Sequence, residues 1–285
     1  MIYFVFNRVS GTYSEEREAF ITTRSKFLFK DQIIITCSKR YNNGFIPDII
    51  PDQLIQDDTI VAVGGDGTLN LCLQFIQDNR LNDKVFLGFI PTGTGNNMVK
   101  ISRLSKNINK ALKILKNKKI KELRYGTIND KKVFFNFSLG FSTYVLQNRT
   151  TSSLMGYALN GIKNYFKFKS KKIKITLGNE VINDKLFAAF FINTTHYMSF
   201  IRFRKENNTS NNLDLFYLKD GNKLKILPKL LLLLLGINLF SATTSEYLTV
   251  EMPDGDAIEV DGDIYETKER SFSIKNNFKI NFISG

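Results

Sequence analysis

Hydrophobic and polar positions follow two different patterns along the chain, and the change falls near residue 120. Before it, short and mostly apolar runs at residues 2–6, 32–36, 59–63 and 85–90 are separated by stretches with helical spacing. Apolar strands that alternate with helices are typical of a parallel sheet covered on both faces. We therefore predict an open parallel α/β domain over residues 1–123.

After residue 120, short runs with alternating apolar and polar residues dominate, which is typical of half-exposed antiparallel strands. The predicted strands are residues 133–137, 172–177, 185–193, 213–218, 247–252, 257–260, 271–274 and 279–282. Helical patterns interrupt them at residues 152–168 and 224–239. We predict a mostly antiparallel β-sandwich as the second domain, over residues 124–274, and a length of 285 residues is consistent with two domains.

Composition limits the classes of protein that the chain can be. The apolar fraction of 43% and the charged fraction of 24% exclude a disordered chain. Cys37 and Cys72 are the two cysteines, so no disulfide framework is expected and a reducing compartment, the cytoplasm, is favoured. The first residues lack the features of a signal peptide, and the longest apolar run, residues 226–240, contains Lys229 and is too short to span a bilayer.

The net charge of +13 predicts an anionic partner. Lysines and aromatic residues are mixed at residues 163–174, and Lys223, Lys225 and Lys229 accompany a run of six leucines. Both segments suit docking on an anionic membrane, although a solvated surface and a buried helix explain them equally well. No recognised nucleic-acid motif is present, and anionic lipids explain the same charge, so a nucleic-acid partner is not expected.

The most informative motif is Gly64-Gly65-Asp66-Gly67-Thr68, which lies between a predicted strand and a predicted helix. Glycines allow a phosphate to approach the backbone closely, and the N–H groups at the start of the helix are ready to bind it. A carboxylate such as Asp66 is compatible with phosphates when Mg²⁺ lies between them. A tight turn capped by Asp66 is the simpler alternative, but it does not account for all five residues.

Three further motifs follow predicted strands. Residues 91–97, Pro-Thr-Gly-Thr-Gly-Asn-Asn, follow the strand at 85–90, and residues 7–11, Asn-Arg-Val-Ser-Gly, follow the first strand. Ligands of open α/β sheets bind beyond the carboxyl ends of the strands, so these loops are expected to share one crevice. Asp261-Gly262-Asp263 ends an alternating strand, where a hairpin turn is the favoured interpretation.

Together these motifs resemble the diacylglycerol kinase catalytic-domain family, which includes bacterial lipid kinases and is similar to sphingosine and ceramide kinases. Residues 64–68 and 91–96 carry the resemblance most specifically. Asn7, Ser10 and Gly11 resemble the family's first motif, and Gly140-Phe141 its element at the start of the second domain. Asp261-Gly262-Asp263 aligns with Asp-Gly-Glu. The resemblance implies two domains with the active site in the cleft between them, and a C-terminal tail, about residues 275–285, that returns to the first domain.

The resemblance also implies transfer of a phosphoryl group from ATP, with Mg²⁺, to a lipid hydroxyl such as that of diacylglycerol, by an enzyme peripherally associated with the membrane. Asp263 stands at the position of the general base, one methylene shorter than the family's glutamate. Asp66 would act through the nucleotide-bound Mg²⁺. The residues implied to line the nucleotide are Asn7, Ser10, Thr36, Gly64, Gly65, Asp66, Gly67, Thr68 and Thr94.

Two alternatives remain open. Gly-Gly-Asp-Gly-Thr is shared with NAD kinases, which act on a small molecule, although their second motif with Asn-Glu or Asn-Asp is not found here. The protein could also bind nucleotide and lipid without catalysis, since Asp263 replaces the expected base. The sequence leaves open which lipid is used and whether the protein is a homodimer.

Overall fold

The chain divides into two compact units in the computed structural model. One comprises Met1–Leu123 and Lys279–Gly285, and the other comprises Arg124–Phe278. The structure describes residues 1–9, 13–30, 32–41, 44–93, 98–148, 154–197, 201–203, 212–253, 256–266 and 269–285.

The first unit is built on a parallel sheet. Its strands are β1 (Ile2–Phe6), β2 (Ile33–Tyr41), β3 (Gly44–Pro47), β4 (Asp58–Gly64) and β5 (Val85–Pro91). Their order is β5-β4-β1-β2-β3, and the chain's last strand adds residues 281–282 in parallel beside β5. β3 alone among these five is antiparallel to its neighbour, β2. Every residue of β4 is buried, as expected for a central strand with both faces covered.

Helices cover this sheet. They are α1 (Glu15–Phe29), α2 (Asp66–Asp78), α3 (Met98–Ile101) and α4 (Ile108–Asn117). Ser14 and Asn107 cap α1 and α4 by accepting the backbone N–H groups of Arg17 and Lys110. α1 and α4 pack over Phe4 and Val61, while α2 buries Leu69, Leu73 and Ile76, in agreement with the predicted helical spacing.

The second unit is rich in strands. After β6 (Lys119–Ile128), which begins in the first unit, the elements are β7 (Lys132–Phe134), β8 (Asn136–Gly140), α5 (Phe141–Gln147), α6 (Leu154–Tyr165), β9 (Lys171–Leu177), β10 (Glu180–Ile192), β11 (His196–Tyr197), β12 (Ile201–Arg202), β13 (Leu213–Lys219), α7 (Lys223–Leu234), β14 (Ser241–Ser245), β15 (Tyr247–Glu251), β16 (Ala257–Val260), β17 (Asp263–Glu266) and β18 (Ser271–Ser284).

The long strand β10 organises this unit. Its first half pairs antiparallel with β9, and its second half lies between β8 and β13, antiparallel to both. β8 continues to β16 and β17, and β15 joins β9 to β18. Phe137 on β8 and Phe191 on β10 stack with ring centroids 4.0 Å apart in the core that these strands share.

The predicted fold class is confirmed: a parallel α/β core is followed by an antiparallel unit. Two local predictions were wrong, and one helix was missed. The strand predicted at 133–137 is divided into β7 and β8, because the N–H groups of Phe135 and Asn136 bind the carboxylate of Asp261. The strands predicted at 271–274 and 279–282 are one continuous strand, β18, and α5 was not predicted.

Over the residues that the structure describes, no helix combines the length and hydropathy needed to cross a membrane.

Candidate functional site

The carboxyl ends of three neighbouring strands meet at one edge of the first unit's sheet. Phe6 of β1 is level with Val63 of β4, and Val63 is level with Ile90 of β5. The first residues after these strands, Asn7, Gly65 and Thr92, therefore lie side by side, and each belongs to a loop singled out by its sequence motif. This edge is where open α/β sheets bind ligands.

The turn after β4 packs closely on itself and on the turn after β5. The carbonyl oxygen of Gly64 accepts hydrogen bonds from the N–H groups of Thr92, at 2.7 Å, and Gly93, at 3.1 Å. A Cβ atom on Gly64 would lie 2.2 Å from Oγ1 of Thr68, whose side chain is buried. The glycine is therefore needed for packing, and the two glycine-rich turns form one structure.

Asp66 is the first residue of α2, and Gly65 is its N-cap. The side chain of Asp66 is half-buried, and Gly67 beside it is exposed. A carboxylate in the first turn of a helix is stabilised by the helix dipole. This turn therefore presents helix N–H groups and one carboxylate at the edge of the sheet, which are the groups expected of a site for a metal-bound phosphate.

Asn7, directly after β1, joins the same edge. Its Oδ1 accepts hydrogen bonds from the N–H of Val9 and from the hydroxyl of Ser38 on β2, each at 3.3 Å. Asn7 and Thr92 line one small pocket together with Arg17 of α1. The sequence did not identify Arg17, because its place in this pocket depends on how α1 packs against the sheet.

The loop after β1 is also anchored to α1. Nε of Arg8 donates to one carboxylate oxygen of Glu18 at 3.0 Å, and Nη2 donates to the other at 2.5 Å. The hydroxyl of Tyr13 donates to Glu18 at 2.8 Å. The hydrogen bond from Arg8 is the main reason that the pKa of Glu18 lies below its ordinary value. Arg8 thus holds this loop to α1 by a paired hydrogen bond.

The other nucleotide residues expected from the sequence are placed as follows. Thr36 lies on β2, level with Val5, and its hydroxyl donates to the carbonyl of Asp48 at 2.9 Å. Ser10 and Thr94 lie outside the described residues. The structure therefore brings Asn7 and residues 64–68 to one edge, while the hydroxyl of Thr36 has a structural partner.

In the second unit, Asp261 and Gly262 form the two-residue turn between β16 and β17, as the sequence favoured. Val260 pairs with Asp263 across the turn. Asp261 has a φ of 50° and Gly262 a φ of 99°, which are the positive values that a type I′ hairpin turn needs. Asp263 begins β17, and its side chain is exposed.

Asp261 fixes this turn to the neighbouring strand. Its two carboxylate oxygens accept the N–H groups of Phe135, at 2.9 Å, and Asn136, at 2.8 Å. Its own N–H donates to the carbonyl of Asn136 at 3.0 Å. Asp261 is therefore a structural residue of the motif, and Asp263 is the carboxylate that faces outward.

Glu259 supports the same turn from inside the protein. Its side chain is 1% exposed, and its carboxylate accepts hydrogen bonds from the hydroxyls of Ser138, at 2.8 Å, and Tyr197, at 2.7 Å. The N–H of Gly262 donates to its other oxygen. Burial raises the pKa of Glu259 to about 7. The sequence analysis missed Glu259, although a single carboxylate in the strand Ala-Ile-Glu-Val was a signal for it.

Asp66 is the first unit's candidate ligand for Mg²⁺. Among the described residues, no three His, Cys, Asp or Glu side chains are grouped so as to hold a metal ion. Mg²⁺ is commonly bound by one or two carboxylates together with substrate phosphates, which fits a lone carboxylate beside helix N–H groups. The donors present thus suit an ion that arrives with a nucleotide.

Comparison with known proteins identifies relatives of the chain. Residues 1–128 match the family model described as the diacylglycerol kinase catalytic domain. A protein of Streptococcus pneumoniae serotype 4, named provisionally as a lipid kinase, is 27% identical over 184 residues, covering 62% of this chain and 61% of that protein. The "Probable lipid kinase YegS" of Salmonella heidelberg is 30% identical over 106 residues, covering 37% of this chain and 35% of that protein. The chain thus matches less than two thirds of the length of either relative.

A solved structure shares the fold over the whole chain. The crystal structure titled as a diacylglycerol kinase from Bacillus anthracis str. Sterne superposes with a TM-score of 0.68 and 17% identity, covering 100% of this chain and 96% of that one. At this identity the similarity shows the fold alone. The match of residues 1–128 to this family model agrees with the resemblance of the motifs: this part of the chain is similar to the diacylglycerol kinase catalytic domain.

Proposed function

We propose that the protein is a lipid kinase that transfers the γ-phosphoryl group of ATP to the hydroxyl of diacylglycerol or a related lipid alcohol. The observation that carries this proposal is the turn of residues 64–68, which is joined to the turn after β5 and lies level with the loop of Asn7. The family match over residues 1–128 supports kinase chemistry.

The first unit binds the nucleotide in this proposal. The N–H groups at the start of α2 hold phosphate oxygens, and Gly65 and Gly67 leave room for them. Asn7 and Arg17 border the same edge. Ser10 and Thr94, which the resemblance implies, complete the set, and Asp66 holds the nucleotide's Mg²⁺. When bound, this ion would neutralise part of the charge that develops on the phosphates.

The second unit supplies the base. The lipid hydroxyl oxygen forms a bond to the γ-phosphorus as the bond to the bridging oxygen of ADP breaks, and ADP leaves with that electron pair. The hydroxyl proton passes to the carboxylate of Asp263. Because Asp263 is exposed at the start of β17 and its neighbours Asp261 and Glu259 are occupied in holding the turn, Asp263 is the carboxylate of this motif that can accept the proton.

We also propose that an apolar surface of the second unit docks on an anionic membrane. α7 and the residues after it expose leucine and isoleucine side chains, and the end of α6 and the following turn expose an isoleucine and a phenylalanine. The exposed residues are Leu224, Leu231, Leu234, Leu235, Ile237 and Leu239 of the first segment and Ile162 and Phe166 of the second. We call these eight residues the leucine patch.

Hydrogen bonds join the two halves of the leucine patch. The hydroxyl of Tyr165 donates to the carbonyl of Lys223 at 2.6 Å, and Nζ of Lys223 donates to the carbonyls of Phe166 and Phe168. Lys223 is therefore a structural cation. Lys163, Lys167 and Lys225 are exposed close to the patch in sequence and provide positive charge for anionic headgroups.

The kinase activity is tested with radiolabelled ATP, Mg²⁺ and dispersed lipid alcohols: diacylglycerol, monoacylglycerol, sphingoid bases and isoprenols. We expect a phosphorylated lipid from the wild type. Asp263→Asn should lower kcat by 100-fold or more with ATP binding retained, because general-base catalysis contributes roughly 10²–10⁴. Asp66→Asn should weaken the binding of ATP with Mg²⁺. Glu266→Gln, which changes an exposed carboxylate on the same strand as Asp263, is the matched control and should keep full activity.

Other outcomes separate the alternatives. NADP formed from NAD would place the protein with the small-molecule kinases. Binding of ATP and lipid with no product from any of the alcohols would favour a non-catalytic binding protein.

Membrane docking is tested by sedimentation with vesicles of equal parts phosphatidylglycerol and phosphatidylcholine. The Leu231→Glu/Leu235→Glu double variant should bind them at least tenfold more weakly, because it places two charges in the leucine patch. Ile55→Glu changes a residue that is also exposed, at 63%, but lies in the first unit, and it should bind as the wild type does. Equal binding by all three proteins would contradict this surface.

A further inference from the structure

The buried carboxylate of Glu259 has no role in the chemistry proposed above, yet it is bonded to the residue next to the proposed base. We propose that Glu259 is a positioning residue: in its ionised form it holds the N–H of Gly262 and so fixes Asp263 for catalysis, and its protonation releases the turn. This inference rests on the proposed function, because it assumes that Asp263 acts as the base.

Hydrogen-bond geometry supports the ionised form as the one that holds the turn. One oxygen of Glu259 accepts from Ser138 and Tyr197, and the other accepts from the N–H of Gly262. All three partners are donors, and a carboxylate without a proton is the form that accepts all of them. A proton added to the oxygen that faces Gly262 would place two donors against each other.

A second layer of hydrogen bonds holds Ser138, one of the donors to Glu259. The hydroxyl of Ser142, on α5, donates to the hydroxyl of Ser138 at 2.8 Å, and Ser138 in turn donates to Glu259. The three serine and tyrosine side chains are buried. Their positions are therefore fixed by packing, so a change in the charge of Glu259 is transmitted to its other oxygen, which Gly262 contacts.

The groups around Glu259 bring its pKa into the range of pH in which many enzymes work. Tyr197 on β11 donates to it, and Asp261 in the following turn raises its pKa by charge. β8 and β17 place Ser138 and Ile264 beside it in the sheet. α5 presents Ser142, and that helix's tyrosine, Tyr144, packs on Phe168. Burial is the largest influence, and the pKa of about 7 lies in the physiological range.

The hydrogen bond between the N–H of Gly262 and Glu259 can be followed without an activity assay. In protein labelled with ¹⁵N-glycine, the amide of Gly262 is identified as the signal lost in Gly262→Ala. We expect its chemical shift to titrate with a midpoint near 7 in the wild type and to show no such step in Glu259→Gln. An amide that does not titrate in the wild type, or that titrates equally in Glu259→Gln, would overturn the inference.

The consequence for catalysis is measured as kcat/KM against pH. The wild type should lose activity below about pH 7, Glu259→Gln should be at least tenfold slower without this step, and Tyr197→Phe should move the step to higher pH, because one donor to the carboxylate is lost. Ser142→Ala should leave the step close to its wild-type position, since Ser142 donates to Ser138 and Ser138 is the residue that donates to Glu259.

A pH step that stays unchanged in both Glu259→Gln and Tyr197→Phe would overturn the positioning role. Absence of any lipid phosphorylation by the wild type would instead contradict the proposed function, and the titration of Gly262 would still decide whether Glu259 controls the turn.

Discussion

Neighbouring residues of the same type have different structural roles in residues 259–263 and in the turn of residues 64–68, and the sequence does not distinguish these roles. Asp261, Asp263 and Glu259 are three carboxylates within five positions, yet one binds backbone N–H groups, one is exposed and one is buried. Gly64 and Gly65 are adjacent and identical, but a side chain would meet different surroundings at each. The structural role of each residue is therefore set by its contacts and not by its residue type.

Gly64 and Gly65 give a matched pair of variants. Gly64→Ala should lower the free energy of unfolding by about 1–3 kcal/mol, because its Cβ would lie 2.2 Å from Thr68 Oγ1 and force the start of α2 to move. Gly65→Ala should leave stability close to that of the wild type, since the nearest atom, Cα of Gly93, is 3.5 Å from its Cβ. Urea unfolding measures both. Equal loss in the two variants would contradict this packing.

Glu259 should also make stability depend on pH. Its pKa is raised from 4.5 to about 7, so between these values the folded protein binds one more proton than the unfolded chain. The stabilisation that Glu259 contributes to the free energy of unfolding is therefore fully present below pH 4.5. It is lost as the pH rises through about 7, by on the order of 3 kcal/mol in total. Urea unfolding of the wild type and Glu259→Gln at pH 5 and 7.5 should show this slope in the wild type alone. An equal change in the free energy of unfolding between the two pH values in both proteins would contradict this prediction.

At the scale of elements, the β16–β17 hairpin is more than a turn that reverses the chain. Asp261 joins it to the start of β8, and Glu259 joins it to β8 and β11. These hydrogen bonds fix the hairpin, and Asp263 lies exposed next to its turn. In the first unit, α1 and α4 are instead capped by the side chains of Ser14 and Asn107, which lie next to them in the sequence.

Substitution of Asp261 should mainly lower stability, whereas substitution of Asp263 should mainly lower activity. Asp261→Ala leaves the N–H groups of Phe135 and Asn136 without their acceptor and should cost about 1.5–3 kcal/mol of unfolding free energy. Asp263→Ala should change stability by less than about 0.5 kcal/mol, because its side chain is exposed, while abolishing lipid phosphorylation. Thermal unfolding and the kinase assay on both variants measure this. Loss of stability in Asp263→Ala would assign it a structural role.

At the scale of the whole molecule, residues far apart in sequence complete each unit. The last part of β18 pairs with β5, where Asn281 is level with Phe86 and Phe282 with Leu87. Ile280, Phe282 and Ile283 are each buried in the first unit. Residues 1–123 alone therefore lack one strand of their sheet.

A fragment of residues 1–123 should be much less stable than a fragment in which a flexible linker adds residues 279–285. Each of the three buried side chains contributes about 1.5–3 kcal/mol when it is removed from water. Circular dichroism during thermal unfolding compares the two fragments, and a version with Phe282→Asp in the added segment is the control. Equal melting of all three would show that the strand is dispensable.

The sequence predicted the alternation of strands and helices and the glycine-rich turns at the ends of two strands, because these depend on local patterns: apolar runs, glycines and the residues beside them. It could not predict that Glu259 meets Tyr197, that Arg8 holds Glu18, or that β7 and β8 divide at Phe135. Each of these depends on a contact between strands or helices that lie apart in the chain. Hydrophobic periodicity reports which side of an element is covered and not what covers it.

The parallel pairing of β18 with β5 has a consequence for synthesis on the ribosome. β5 is made early, but its partner emerges only after some 190 further residues, including the entire second unit, have been translated. Until then the nascent sheet has an unprotected border beside Phe86 and Leu87, which is open to incorrect pairing with other chains. Slow or interrupted translation should therefore expose this protein to aggregation and make its yield depend on chaperones.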